Sequence, residues 1–138
     1  MRLAALIACL LLAAPATAAR DELPTLTPAQ AISRAAAASP APVRAVFQFT
    51  VQSAAKSRDG VYLNSEKDFR AGTNLAVAIR ASAMPALTPK YGADPKAEFV
   101  GKTIKVIGEV RRVAVGRNRT TAATHVEVTR AGQILSVS

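Results

Sequence analysis

The chain is poor in the residues that most often carry chemistry: its 138 residues include one cysteine, one histidine and no tryptophan. Cys9 lies in an apolar segment at the N-terminus, and without that segment the chain has no thiol for a disulfide, a nucleophile or a metal ligand. A zinc site usually draws on several Cys or His ligands, and no second histidine accompanies His125. The sequence therefore predicts no resident metal ion and no cofactor.

Recognised catalytic motifs are missing as well. The chain has no G-x-S-x-G elbow for a Ser–His–acid triad, no P-loop and no G-x-G-x-x-G loop. Of the few acidic residues, Glu66 and Asp68 lie close together in a polar segment near Asn64. Two interpretations remain: the segment binds calcium weakly, or it is a solvent-exposed loop without a ligand. We predict that the protein is not an enzyme. A nuclease with a carboxylate-bound metal ion is the alternative.

The N-terminus has the layout of a secretory signal peptide. Arg2 precedes an unbroken apolar run from Leu3 to Ala14, and the small residues around Ala18 predict cleavage after it. The run is shorter than the roughly 20 residues that a membrane-spanning helix needs. Lipidation of Cys9 is disfavoured, because Cys9 lies in the middle of the apolar run and not at its end. The predicted location is the periplasm or the medium.

Positive charge exceeds negative charge by nine over the whole chain. The excess is concentrated between Lys102 and Arg119, where the only acidic residue is Glu109. A basic surface raises the local concentration of anionic partners such as nucleic acid, anionic lipid headgroups or acidic polysaccharide. A surface that only keeps the protein soluble is the alternative.

The first element after the leader is predicted to be a helix. Thr27 is a good N-cap, Pro28 suits the first helical position and Gln30 completes a capping box. The alanine-rich segment 29–38 continues the helix, and a Ser-Pro pair ends it. The preceding residues, 19–28, are predicted to be a flexible lead-in.

From Val43 onward, apolar and polar residues alternate as in half-buried strands. The five predicted strands cover 43–52, 61–63, 73–79, 102–110 with a possible extension to 115, and 125–137 with an interruption at 130–132. A turn is predicted at 56–60 and a long connection at 81–94. Asp94 is predicted to cap a short helical turn that ends at Gly101. Gly108, within the fourth strand, indicates a bulge or a bend.

After the N-terminal helix, five strands with a helical turn between the third and the fourth are the plan of an OB-fold. A small β-sandwich would need about seven strands. We therefore predict a mainly β protein: a five-stranded OB-fold-like barrel in residues 43–138, with a helical turn between strands 3 and 4. Residues 19–42 form the lead-in and the N-terminal helix, and residues 1–18 form the signal peptide.

Three segments carry a resemblance to a known family. They are VYLNSEKDFRAGTNLAVAI (61–79), FVGKTIKVIGEV (99–110) and HVEVTRAGQILSV (125–137). Together they resemble exported bacterial OB-fold domains of the tRNA-anticodon-binding type, over roughly 43–137. A looser resemblance is to the small periplasmic bacterial OB-fold family, whose Asp-x-x-Gly turn is replaced here by 64–70. Both resemblances imply a fold, and neither implies catalytic residues.

An OB-fold binds ligands across its second and third strands and the flanking loops. Single-stranded nucleic acid needs basic side chains for phosphates and aromatic rings for bases. Tyr62 is the best ring candidate, followed by Phe69 and Tyr91, although aromatic residues make up only 4% of the chain. The predicted ligand-binding residues are Lys56, Arg58, Tyr62, Asn64, Arg70, Asn74, Arg80, Arg111, Arg112, Arg117 and Arg119.

These observations predict an exported, non-enzymatic OB-fold binding module for an anionic partner. The leading partner class is single-stranded nucleic acid or an oligonucleotide, and an envelope polyanion belongs to the same class of ligand. The alternative is a periplasmic protein-interaction or envelope-stress module that binds a protein or an envelope component. The composition favours contacts with phosphate over base stacking.

Overall fold

A computed structural model describes residues 22–138, so the predicted signal peptide lies outside the described residues. The structure is mainly β. Its strands are Thr25–Leu26 (β1), Val43–Thr50 (β2), Ser53–Ser57 (β3), Gly60–Asn64 (β4), Leu75–Arg80 (β5), Thr103–Val115 (β6), Thr121–Val128 (β7) and Ile134–Val137 (β8). Its α-helices are Pro28–Ala38 (α1), Met84–Tyr91 (α2) and Pro95–Phe99 (α3).

The strands form one mixed sheet in the order β1-β2-β6-β7-β5-β4-β3, and β8 pairs with β6 beside β7. The pairs β1–β2 and β5–β7 are parallel, and the other pairs are antiparallel. The mainly β prediction is confirmed, but the predicted five-stranded OB-fold-like barrel is not observed. Residues 22–138 form an open sheet of eight strands, in which no ladder joins β3 back to β2.

Two additional strands, β1 and β3, and one interruption, between β7 and β8, explain the larger strand count. The chain bends between β2 and β3, where Val51 N–H donates to the carbonyl of Lys102 and Gln52 N–H donates to the carbonyl of Asn64. Adjacent residues thus bond to different neighbouring segments, and β3 begins just beyond the predicted strand 43–52. A 3-10 turn at Ala131–Gln133 separates β7 from β8, where the sequence predicted an interruption.

The predictions around β1 and β3 need correction. Part of the lead-in is not flexible, because Thr25–Leu26 pairs with β2 and the Leu26 side chain is buried. Strand β3 was predicted partly as a turn, since Ser53–Ser57 contains no β-branched or aromatic residue. Pairing with β4 makes it a strand despite its low propensity.

Helix α1 confirms the predicted capping box. The Thr27 hydroxyl accepts a hydrogen bond from Gln30 N–H, and the Gln30 side chain accepts one from Thr27 N–H. Ala31 and Ala35, one turn apart, are fully buried against the sheet. The small side chains let the helix approach the strands closely.

Helix α2 was predicted as an irregular connection. Pro85 sits in its first turn, where a missing N–H costs nothing, but Pro89 lies inside the helix, where it removes a backbone hydrogen bond. Burial of Leu87 anchors the helix on the core. Helix α3 follows the prediction, because the Asp94 side chain accepts a hydrogen bond from Lys96 N–H.

The core lies on the inner face of the sheet, as the alternation in β2 predicted. Phe47 of β2 is fully buried, and Leu63 of β4, Val77 of β5 and Val126 of β7 belong to the same core. Strand β5 is buried on both faces, since Ala76 and Ala78 on its outer face are also covered. A groove forms on this outer face, and Ala76 contributes to its lining.

Gly108 lies in a closely packed part of β6. It pairs with Ala45 in regular register, and the only irregularity of β6 lies at Lys105/Val106 against β8. A Cβ at position 108 would lie 3.1 Å from the Gln133 amide nitrogen and 3.3 Å from Val126. Of the predicted bulge or bend at this residue, the bulge is not observed, because the pairing with β2 is regular. The missing side chain leaves room for Gln133, between β7 and β8.

Candidate binding groove

A groove of about 580 Å³ opens on the outer face of β4, β5 and β7. Its floor contains Tyr62, Asn64 and Ala76. One wall is residues 69–72, and the other is residues 115–116 with 121–125. Alanine and glycine supply much of this lining, and their small side chains leave the space open.

The first wall belongs to a connection between β4 and β5, residues 65–74, which we call the 65–74 loop. At its base Ser65 N–H donates to the carbonyl of Leu75 over 3.0 Å, and Leu75 N–H donates to the Ser65 hydroxyl over 2.8 Å. Within it, Asp68 accepts hydrogen bonds from Arg70 N–H at its carboxylate and from Ala71 N–H at its carbonyl. The loop is therefore an ordered structure beside the groove.

Asn74 holds this loop closed. Its Oδ1 accepts a hydrogen bond from Glu66 N–H over 3.1 Å, and its Nδ2 donates to Asn64 Oδ1 over 3.2 Å and to the Phe69 carbonyl over 3.3 Å. The side chain is buried. Asn74 was predicted as a ligand-binding residue, and its polar atoms are instead engaged in positioning the groove wall.

Replacement of Asn74 by alanine is expected to lower the free energy of unfolding by about 2 kcal/mol, because Glu66 N–H, the Phe69 carbonyl and Asn64 Oδ1 all lose a partner. Chemical denaturation would measure this loss. Thr73→Ala is a matched control, since Thr73 is exposed. Equal stability of the two variants would contradict the role assigned to Asn74.

The aromatic side chains of the groove differ in exposure. Phe69 is 61% exposed at the rim, and the Arg70 guanidinium lies 5.2 Å from the centre of its ring. Tyr62 lies on the floor with its ring centre 5.8 Å from that of His125. Tyr91 packs on Phe99 outside the groove, so it is not a platform for this site.

His125 comes from β7 and was not predicted as a site residue. Burial lowers the pKa of its imidazole below the usual value of about 6.5, and the positive charge of Arg80 lowers it further. The ring is therefore neutral at pH 7 and adds no charge to the groove. A lone histidine in a strand carries no signal in the sequence; only the pairing of β7 with β5 places it here.

The lowered pKa of His125 predicts a pH-dependent stability. Between the folded pKa and about 6.5 the unfolded chain binds more protons, so the free energy of unfolding falls as the pH drops below about 6.5 and is unaffected above it. Denaturation of wild type and His125→Gln at pH 5 and 8 would isolate this contribution, because the chain has no other histidine. A difference between the two proteins that is the same at both pH values would contradict it.

The structure brings four predicted residues, Tyr62, Asn64, Arg70 and Asn74, to the groove lining. Residues 116–120, which we call the 116–120 loop, connect two segments that line the second wall, and they carry Arg117 and Arg119 at the groove edge.

The other predicted residues lie outside the lining. Arg112 is exposed near this end of β6, opposite the lining residue Thr124. Lys56 and Arg58 lie farther along the β3–β4 hairpin.

Arg80 and Arg111 are engaged in ion pairs. Arg80 Nε lies 2.7 Å from Glu127 Oε1, and this hydrogen bond raises the pKa of Arg80. Arg111 lies 3.5 Å from Glu109. These are the ion pairs found within residues 22–138. By contrast, no carboxylate of the described chain lies within 4.0 Å of the side-chain nitrogens of Arg70, Arg117 or Arg119.

A second recess of about 420 Å³ lies farther along the outer face, beside the join of β7 and β8. Its lining mixes Arg44, Arg111 and Arg130 with Glu109 and Glu127. The opposed charges offset one another, so this recess has a weaker preference for an anion than the edge of the groove has.

Two further observations concern residues 22–138. They contain no cluster of three or more histidine, cysteine or acidic residues placed to hold a metal ion. None of their helices has both the length and the apolar character that crossing a membrane requires. Comparison with protein-family models, curated proteins and solved structures found no match.

Proposed function

We propose that the groove binds single-stranded nucleic acid and that the protein is an exported binding module without catalytic activity. The observation that carries the proposal is the meeting of two kinds of side chain at one groove. The rings of Tyr62, Phe69 and His125 line it. Arg117 and Arg119, whose guanidinium groups pair with no carboxylate of residues 22–138, are on the loop at its edge. Rings stack on bases, and guanidinium groups pair with phosphates.

The order of the strands supports an OB-type arrangement. Strands β4, β5, β6 and β7 correspond to the second to fifth strands of an OB-fold, with a parallel contact between the third and the fifth. Strands β2 and β3 together replace the first strand, which is interrupted at 51–52. The groove then lies on the face that OB-folds use for ligands.

The distribution of charge indicates where phosphates would lie. In the 65–74 loop, Lys67 and Arg70 are balanced by Glu66 and Asp68. The 116–120 loop has two arginines and no acidic residue. We therefore expect the phosphate backbone to follow the second wall of the groove, and Phe69 to face the bases from the opposite rim.

The proposal is tested by fluorescence anisotropy with a labelled oligothymidylate at several salt concentrations. Each phosphate contact on a single strand contributes about −0.7 to the slope of log affinity against log salt. We expect measurable binding and a clearly negative slope. Absence of binding, or binding without a salt dependence, would refute the proposal.

A protein partner is the second candidate, and the exposure of Phe69 favours it. A phenylalanine that is 61% exposed on an ordered, net-neutral loop is also typical of a contact between proteins. Capture of a discrete protein from an envelope fraction, unchanged by nuclease treatment and lost in Phe69→Ala, would support this candidate. If nuclease abolishes the capture, nucleic acid is the ligand.

A further inference from the structure

We infer that the groove receives a nucleobase, not only the phosphate backbone: one unstacked base inserts between the 65–74 loop and β7, and Asn64 donates a hydrogen bond to its edge. This inference rests on the proposed function and deepens it. The basic 116–120 loop alone would explain binding of any polyanion, whereas the interior of the groove has a different chemistry.

Asn64 provides the main observation. Asn64 as a whole is only 3% exposed, and its Oδ1 accepts the hydrogen bond from Asn74. Its Nδ2 has no hydrogen-bond partner among residues 22–138. No fully buried side-chain nitrogen or oxygen of this part of the chain lacks a partner, so Nδ2 keeps access to solvent. The groove, which Asn64 lines, provides that access.

The orientation of this amide is set before any ligand arrives. Asn74 accepts from Glu66 N–H and donates to the Phe69 carbonyl, so its own position is fixed by the 65–74 loop. Its bond to Asn64 Oδ1 in turn directs Nδ2 to the other side. A donor that is already oriented loses little conformational entropy on binding, which favours affinity.

The rest of the groove suits an uncharged planar ring. Ala76, Ala123 and Val115 make much of the surface apolar, and Tyr62 and His125 contribute their rings. Because burial keeps His125 neutral at pH 7, one of its ring nitrogens donates and the other accepts. A volume of about 580 Å³ falls in the range of small-molecule sites.

A nucleobase matches these features better than a phosphate does. Every base offers at least one acceptor on its edge, a ring nitrogen or a carbonyl oxygen, for the amide Nδ2 of Asn64. A phosphate inside the groove would lose its hydration against alanine and valine side chains with little charge to replace it. The base therefore belongs inside, and the phosphate belongs at the arginine-bearing edge.

The test compares two labelled strands of equal length and equal charge: an oligothymidylate and an abasic strand. The wild-type protein is expected to bind the oligothymidylate about tenfold more tightly. Asn64→Asp keeps an acceptor for Asn74 Nδ2 but replaces the donor by an oxygen. It is expected to reduce the ratio of the two affinities to about twofold or less.

Asn118→Asp is the matched control, because it adds the same charge on the 116–120 loop, outside the groove lining. This variant is expected to weaken the binding of both labelled strands and to leave the ratio of the two affinities unchanged. Ala123→Leu, which fills the groove from its second wall, gives an independent variant if Asn64→Asp fails to fold. It is expected to lower the ratio as Asn64→Asp does.

The outcomes separate this inference from the proposed function. If the wild type binds neither strand, both are overturned. If it binds both strands equally, the base site is overturned and the nucleic-acid function stands. If it prefers the oligothymidylate but folded Asn64→Asp or Ala123→Leu keeps the full preference, the base lies elsewhere and the inference is wrong.

Discussion

A protein in which Arg117 and Arg119 are both alanine is expected to bind an oligothymidylate about tenfold more weakly at moderate salt. Both residues lie on the 116–120 loop, where no carboxylate of the described chain pairs with them. If each contacts one phosphate, the slope of log affinity against log salt becomes less negative by about 1.4. Anisotropy titrations at several salt concentrations measure both quantities.

The control for this double variant must remove the same charge elsewhere. Arg34 on α1 and Lys90 on α2 are exposed and lie outside the groove lining. Arg34→Ala with Lys90→Ala is expected to change the affinity by less than about twofold, because at physiological salt a distant charge is largely screened. An equal loss in both double variants would mean that net charge alone drives binding.

Gly60→Ala is expected to reduce the free energy of unfolding by about 3 kcal/mol or more. Gly60 starts β4 with a φ of +141°, which residues with a side chain rarely adopt. A Cβ there would overlap with the carbonyl oxygen of Ile79, so β4 and β5 would have to separate. Thermal denaturation would show a midpoint lowered by at least about 10 °C.

Gly132→Ala serves as the comparison for this variant. A Cβ at Gly132 would meet no atom within 4 Å, and its φ lies outside the positive range. We expect its stability to stay within about 0.5 kcal/mol of wild type. Similar losses in both glycine variants would show that β4 and β5 do not pair as closely as described.

The parts of the fold that the sequence predicts correctly are those whose signals are local. The capping box of α1 involves residues three positions apart, and the alternation in β2 repeats over eight residues. Strand β3 and helix α2 were not predicted, because tertiary contacts there override the local secondary-structure preference of the residues. Alanine and serine pair as a strand beside β4, and a helix containing Pro89 is anchored by Leu87.

The site was predictable to a similar degree. Tyr62 and Asn64 were both predicted as ligand-binding residues, but Asn64 was placed in the loop after the predicted strand 61–63. The pairing of Asn64 with Ala76 extends β4 to this residue and puts it on the same face as Tyr62. The role of Asn74 could not be inferred, because its partners Glu66 and Phe69 come to it only when the 65–74 loop closes. His125 is far from Tyr62 in sequence and meets it through the parallel pairing of β5 and β7.

Mapping of the contact surface by amide chemical shifts, on titration with an oligothymidylate, tests the central claim most directly. The account predicts that the largest shifts fall in residues 62–76 and 115–125, the floor and the two walls of the groove. Residues around Arg44 and Arg130, in the second recess, are expected to change little. Shifts concentrated in that recess, or the absence of localised shifts, would contradict the account.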